Sequence, residues 1–299
     1  LILFRLTNKT FCVFTCQYNE LIAKIENGEL DKSFKKIYVS DSAVEEQKPR
    51  YIRTIKEFIN LFGDDRDVFV LSAPGRTEVC GNHTDHNNGK VLAASINLDA
   101  IAIAAKRDDM KINEKSEGHG LNEVDISTLS PDEAEYGRSS SMIKGVAAGL
   151  KEKGYEIGGF DACTTSDVMG GSGLSSSAAF EVLIATVINH LYNDGKIDAV
   201  TVAKAAQFSE NVYFGKPSGL LDQMASSVGT FVTIDFKDTA NPVIKKVDFD
   251  FAKSGYSLCI VDTHGNHSDL TDDYAAVRGE MEAVAKAMGK NVLREVEYE

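Results

Sequence analysis

The chain has 299 residues, 43% of them apolar and 26% charged, with a formal net charge of −13. Those proportions fit an ordinary globular protein of one large domain or two. The acidic balance, with no sustained basic block, argues against nucleic acid or an anionic membrane surface as the partner. No run reaches the roughly 20 apolar residues of a membrane span. The five cysteines, Cys12, Cys16, Cys80, Cys163 and Cys259, form no CxxC pair. Neither a disulfide framework nor a zinc site is indicated, and a reducing cytoplasm is the simplest setting.

The chain opens at Leu1. Arg5, Asn8 and Lys9 break its first 18 residues, a poor signal-peptide core; this segment reads as a short strand pair or as an artefact of where the start was set. Asn19 to Leu61 is helical in character. Ile52, Ile55, Phe58, Ile59 and Phe62 lie at helix spacing after a break at Pro49, and Gly63 marks the end. Asp67 to Ala73 reads as a strand, and Lys90 to Lys106 as two strands. Ser141 to Lys151 and Leu174 to Tyr192 read as helices, with a strand from Gly159 to Ser166 between them. Asp198 to Tyr213 is a further helix, capped by Asp198. Thr230 to Phe236 and Leu258 to Asp262 are strands, and Leu270 to Met288 is an amphipathic helix ending at Gly289. Strands and helices mix without regular βαβ alternation, so the class is α+β. A boundary is expected near residue 210. This divides the chain into an uncertain segment 1–18, a helical extension 19–66, a first lobe 67–210 and a second lobe 211–299. The run REVEYE stops just after a helical pattern, and the chain reads as a fragment.

The most informative stretch is Asp167 to Glu181, DVMGGSGLSSSAAFE. Small-residue runs are often flexible linkers, but a linker is flanked by polar sequence of low periodicity. This one joins a strand to the apolar segment FEVLIATVINHLY. A glycine turn opening a helix brings free N–H groups and the positive end of the helix dipole to an anion. Ser175, Ser176 and Ser177 add hydroxyls suited to phosphate oxygens or a Mg²⁺ shell. No GK[ST] follows at the spacing of a Walker loop, and no GxGxxG with a downstream acid fits a dinucleotide fold.

Three further clusters carry chemistry. Arg76, Glu78, Asn82, His83, Thr84, Asp85, His86, Asn87 and Asn88 crowd one loop. Such a set suits a polyhydroxylated ligand, because a carboxylate accepts from two adjacent hydroxyls and amides both donate and accept. An Asx-rich turn is the structural alternative, and His83 with His86 is a weak metal signal. Asp222, in PSGLLDQMASSVG, is either a general base for a hydroxyl nucleophile or a helix cap. Arg76 after Pro74-Gly75 either stabilises phosphoryl charge or makes a surface ion pair. Asp262, His264, Asp269, Asp273 and Tyr274 form the third cluster, for which a solvated helix start is the plain alternative.

Together these pieces resemble a known family. PGRTEVCGNHTDHNNGKVL resembles the galactokinase signature PGRxNLIGEHTDYNGGxVL. MGGSGLSSSAAFEV is similar to the second shared motif of the galacto-, homoserine, mevalonate and phosphomevalonate (GHMP) kinases. GLLDQMASSVG resembles the galactokinase GIMDQ stretch, and VDTHGNHSDLTDDYAAVRGEME the piece in which a galactokinase tyrosine approaches the sugar. The matches fall in family order from about Val68 to Met288.

The resemblance implies a two-lobed GHMP kinase fold: a ribosomal protein S5 domain 2-like N-terminal lobe followed by an incomplete C-terminal α/β lobe, without the third superfamily motif. It implies ATP-dependent phosphorylation of the anomeric hydroxyl of a monosaccharide, galactose first, in a cytoplasmic monomer. Arg76 and Asp222 would be the catalytic pair. Asn82, His83, Asp85, Gly219, Asp222 and Tyr274 would bind the sugar. Gly170, Gly171, Ser172, Gly173, Leu174, Ser175, Ser176 and Ser177 would hold ATP, with Ser176 or Ser177 near Mg²⁺. Asn82 replaces the family glutamate, His86 the family tyrosine and Glu78 the leading asparagine. A kinase for N-acetylgalactosamine, arabinose or a uronic acid is the alternative enzyme, and a sugar-binding transcriptional sensor the non-enzyme. Such sensors lose residues from the Ser-Ser-Ala part of the loop, whereas Ser175 to Ala179 are intact here.

Overall fold

A computed structural model of the chain describes residues 18–81, 84–249, 253–256, 258–261 and 271–297, with the side chains of 271–275 excepted. The sequence readings on segment 1–17, Asn82, His83, Asp262, His264 and Asp269, and on the Asp273 and Tyr274 side chains, lie outside the described residues.

Three helices come first: α1 (Tyr18–Glu26), α2 (Asp31–Tyr38) and α3 (Asp41–Phe62). The last runs straight through Pro49, so the expected break is absent. An interior proline removes one backbone hydrogen bond and costs about 3 kcal/mol. Here Val44, Tyr51, Ile55 and Phe58 keep one apolar face buried on both sides of it. Burial of that face outweighs the local defect.

β1 (Phe69–Cys80) and β2 (Lys90–Lys106) follow, then β3 (Lys111–Ser116), β4 (Leu121–Asp125), α4 (Ser139–Glu152), β5 (Phe160–Ser166) and α5 (Ser176–Tyr192). After these come α6 (Ala199–Phe208), α7 (Leu221–Val228), β6 (Phe231–Asp235), β7 (Val243–Val247) and α8 (Thr271–Ala287). Lys90 to Lys106 is one long strand rather than the expected two. Its two halves have different partners: Lys90–Ala94 pairs with β6, and Ala100–Lys106 pairs with β5. β1 runs antiparallel along both halves, with register shifts at Pro74/Arg76 and Glu78/Cys80. Leu258 to Val261, expected as a strand, is irregular.

The sheet has the order β4-β3-β5-β2-β6-β7, with β1 paired to β2. The β3–β5 pair is parallel and the others are antiparallel, consistent with the α+β reading. β6 and β7 belong to the same sheet as β2, so residue 210 does not divide two separately packed sheets.

Alternation along β2 builds two cores, because successive strand residues face opposite sides. Ile101, Ile103 and Ala105 pack with Val68, Val70 and Cys163 against the layer α1–α3. Ala100, Ala102 and Ala104 face the opposite way, onto α4, α5 and α6. These small side chains let α5 lie close to the sheet, where it is buried on nearly every face. Arg50 pins the first layer to the sheet: it donates to Asp99 Oδ1 at 2.8 Å, Asp167 Oδ2 at 2.9 Å and the Asp99 carbonyl at 2.8 Å. Asp99 is fully buried and also accepts from Tyr38 and Ser72. Among the described residues no helix is long and apolar enough to cross a membrane.

Candidate active site

The glycine-rich loop leaves β5 at Ser166 and enters α5 at Ser176. Gly171 (φ 72°) and Gly173 (φ 76°) adopt left-handed backbone that favours glycine. Ser175 adopts it too, at φ 62°, a strained conformation for a residue with a Cβ. Its hydroxyl makes no capping bond to α5 and instead donates to Asp222 Oδ2. The first N–H groups of α5 have no intrahelical acceptors and stay available to an anion.

β1 runs directly beneath this loop. Arg76 N donates to the Leu174 carbonyl at 3.1 Å. A Cβ at Gly75 would lie 2.9 Å from that same carbonyl oxygen, so only glycine permits the approach. The Arg76 side chain reaches Asp222 through two parallel bonds, Nε to Oδ1 at 2.7 Å and a terminal nitrogen to Oδ2 at 2.8 Å. Its other terminal nitrogen donates to Gly173 O at 2.5 Å. Arg76 is therefore not a surface ion pair; it joins strand, loop and α7 at one point. Nor is Asp222 a cap, for it lies inside the first turn of α7 and spends both oxygens on Arg76 and Ser175. Burial pushes its carboxyl upward, but the Arg76 charge and the hydrogen bonds from Arg76 and Ser175 prevail and hold it below the ordinary aspartate range.

The polar loop lies beside this pair. Asp85–Asn87 form a single 3-10 turn closed by Asn88 in the left-handed region. Thr84 Oγ1 ties the loop's two ends, donating to Gly81 O at 2.8 Å and Lys90 O at 3.0 Å. Asp85 accepts from its neighbour's N–H, His86 N, at 3.0 Å, and its carboxylate packs against the α-carbon of Gly219. The loop Asx residues thus do more than make a turn, because Asp85 meets a segment far away in sequence. Asn87 is buried; it donates to Met281 Sδ at 3.1 Å and accepts from Leu293 N at 3.0 Å.

Four residues that sequence reasoning did not single out complete the site. A π-helical turn, Ser209–Tyr213, ends α6 before the expected Tyr213 and carries Glu210, which is buried. Such wide turns recur at functional sites. Glu210 Oε1 accepts from Ser177 Oγ at 3.0 Å and from Lys216 Nζ at 3.0 Å, and Oε2 accepts from Gln223 Nε2 at 2.7 Å. Glu181, fully buried on α5, lies behind Gln223. Desolvation, then the like charge of Glu210, pushes its carboxyl well above the usual range. One signal in the sequence pointed to Glu181: it is a lone acid in an apolar stretch, and a buried acid needs a partner.

The site thus brings together Arg76, Asp85, Gly219, Asp222 and the Gly170–Ser177 loop. Among the described residues no three His, Cys, Asp or Glu side chains form a metal-binding group. His86 Nε2 lies 3.9 Å from Asp85 Oδ1; the pair considered for His83 and His86 falls outside the described residues, because His83 does.

Comparison with known proteins places this geometry. Residues 56–106 match the galactokinase galactose-binding signature, and residues 141–230 match the GHMP kinase N-terminal domain. The galactokinase of Streptomyces coelicolor is 34% identical over 245 residues, 81% of this chain and 62% of that protein. That of Clostridium tetani is 32% identical over 79% of this chain and 59% of its own length. The chain spans about three fifths of these relatives. The crystal structure of Lactococcus lactis galactokinase complexed with galactose superposes with a TM-score of 0.65 at 27% identity, over 82% of this chain and 62% of that one. Methanococcus jannaschii mevalonate kinase shares the fold at a TM-score of 0.50 and 14% identity. The chain belongs to the galactokinase family of the GHMP kinase superfamily.

Proposed function

We propose that the protein transfers the γ-phosphoryl group of ATP to the anomeric hydroxyl of galactose. One observation carries the reading: the Arg76–Asp222 pair lies between a phosphate loop and a hydroxyl-binding loop, touching the first and adjoining the second. Asp85 and Gly219, with Asn82, His83 and Tyr274, hold the sugar so that its C1 hydroxyl faces Asp222. Gly170 to Ser177 and the N-terminus of α5 hold the phosphates.

Asp222 is ionised throughout the neutral range and is a weak base, since Arg76 stabilises its charge. It orients the hydroxyl through an accepted hydrogen bond and takes the proton only as bond formation to phosphorus makes that hydroxyl acidic. This order suits phosphoryl transfer, where positioning and charge compensation dominate. Arg76 offsets the charge that builds on the transferring oxygens. Ser177 and Glu210 fit Mg²⁺: they present hard oxygens on adjoining elements, and Mg²⁺ takes its remaining ligands from water and phosphate. When bound, the ion would neutralise charge on the phosphate oxygens.

Sugar-dependent ADP release over a panel of galactose, N-acetylgalactosamine, arabinose and galacturonate tests the reading. Galactose should give the highest kcat/KM. Turnover on another sugar alone transfers the assignment to that substrate, and sugar binding with no ADP release identifies a sensor.

A further inference from the structure

The phosphate loop brings no cation of its own, and the chain as a whole carries a net charge of −13. A nucleoside triphosphate arriving there needs positive charge from elsewhere. Arg76 is committed, with its guanidinium on Asp222 and the Gly173 carbonyl. Among the described residues, Lys216 is a further cation at the loop, tied to Ser177 through Glu210. It lies on the segment between the π-helical turn and α7, and two bonds to one residue hold it. Its backbone N–H donates to the Glu210 carbonyl at 3.0 Å, and its ammonium donates to Glu210 Oε1 at 3.0 Å.

Ser177, in the first turn of α5, donates to that same oxygen at 3.0 Å. The ammonium therefore lies no further from the Ser177 hydroxyl than the sum of those two distances. An ammonium has three donors and Glu210 takes one. The side chain is 49% exposed, so it is open to a ligand beside the first turn of α5. Lys216 thus has charge, reach and free donor capacity, and its backbone anchor limits the entropy lost on binding.

We propose that Lys216 binds the terminal phosphates of the nucleotide, serving from a different element the role a lysine within the loop serves in other nucleotide sites. The inference rests on the ATP-binding reading above. It names Lys216 as a substrate-binding residue that discriminates by phosphate number.

The experiment is calorimetric titration of the full chain with ATP, ADP and AMP in EDTA, so that no metal contributes. A charge-assisted hydrogen bond contributes about 1.5–3 kcal/mol, roughly a 10–150-fold change in affinity. Lys216→Met should weaken ATP by that factor, weaken ADP less and leave AMP unchanged. Lys216→Arg should bind ATP within about threefold of wild type. Lys216→Gln, which keeps a hydrogen bond to Glu210, should behave like Lys216→Met. Galactose affinity, measured in the same preparations, should be unaltered and confirms an intact fold. Unchanged ATP affinity in Lys216→Met and Lys216→Gln overturns the proposal and leaves the kinase reading standing. Equal losses for ATP, ADP and AMP also overturn it, as does recovery of ATP affinity in the double variant Glu210→Gln/Lys216→Met. Each of those results makes Lys216 only a counter-ion of Glu210. A wild-type chain that binds no nucleotide overturns the kinase reading as well.

Discussion

Gly219 and Asp85 approach so closely that any side chain at position 219 would overlap the Asp85 carboxylate. Glycine is required there for space. Gly219→Ala must displace Asp85 or the 3-10 turn that carries it. We expect the KM for sugar to rise about tenfold or more, the cost of misplacing one charged hydrogen-bonding group, with ATP affinity within twofold of wild type. Steady-state kinetics alongside nucleotide titration checks this, and a KM equal to wild type would remove Asp85 from the sugar site.

Asp222→Ala should lower kcat by about 10²–10⁴-fold, the range for a positioned proton acceptor, while ATP still binds. The pH dependence follows from the sign of the shift. A carboxyl held below its ordinary value contributes stability and activity above that value and loses them as pH falls through the lowered one. The acid limb due to Asp222 therefore lies below about pH 4 in the wild type. Arg76→Met removes the largest opposing influence and leaves burial opposed by the Ser175 hydrogen bond and the Lys216 charge, so the limb of its residual kcat/KM should move upward by about one pH unit or more. An unmoved limb would show that the titrating group is not Asp222.

Arg50 offers a test of stability remote from the chemistry. Its guanidinium satisfies Asp99, which has no solvent exposure. Arg50→Met strands that charge, a change that costs about 3–5 kcal/mol. Tyr38 and Ser72 still donate to Asp99, which places the loss at the lower end. Urea unfolding measures it. The double variant Arg50→Met/Asp99→Leu should recover a large share, because removing both charges avoids the stranded one.

Ser175 separates conformation from chemistry. Ser175→Gly relieves left-handed strain of about 1 kcal/mol and deletes the hydroxyl that donates to Asp222. We expect a thermal midpoint equal to or above wild type together with a several-fold lower kcat. Ser175→Ala keeps the strain and should lose both. Equal kcat in all three proteins would show that the Ser175–Asp222 bond is incidental.

Much of this was legible in the residues. The glycine loop announced itself because strained backbone needs glycine, and strand, turn and apolar helix gave it a context. Arg76 and Asp222 were each ambiguous alone. Only folding brings two positions 146 residues apart into a bidentate pair, and no local pattern carries that information. The continuity of α3 through Pro49 and of β2 through its centre also escaped a local reading, because tertiary burial and a change of pairing partner override propensity there. Glu210 was hidden by a π-helical turn that no periodicity marks, and Lys216 by an unremarkable loop.

The change of partner along β2 has a kinetic consequence. Pairing with β1 closes a short loop and pairing with β5 a moderate one. The Val91–Ile234 register closes a far longer stretch of chain, and chain entropy makes such closures late. Asp222 lies on the helix just before β6. Pulse-labelled hydrogen exchange should find β5 amides protected before those of β6. The phosphate loop then takes shape in a partly folded chain that has no acidic partner for Arg76, and chemical competence arrives with β6 and the helix before it.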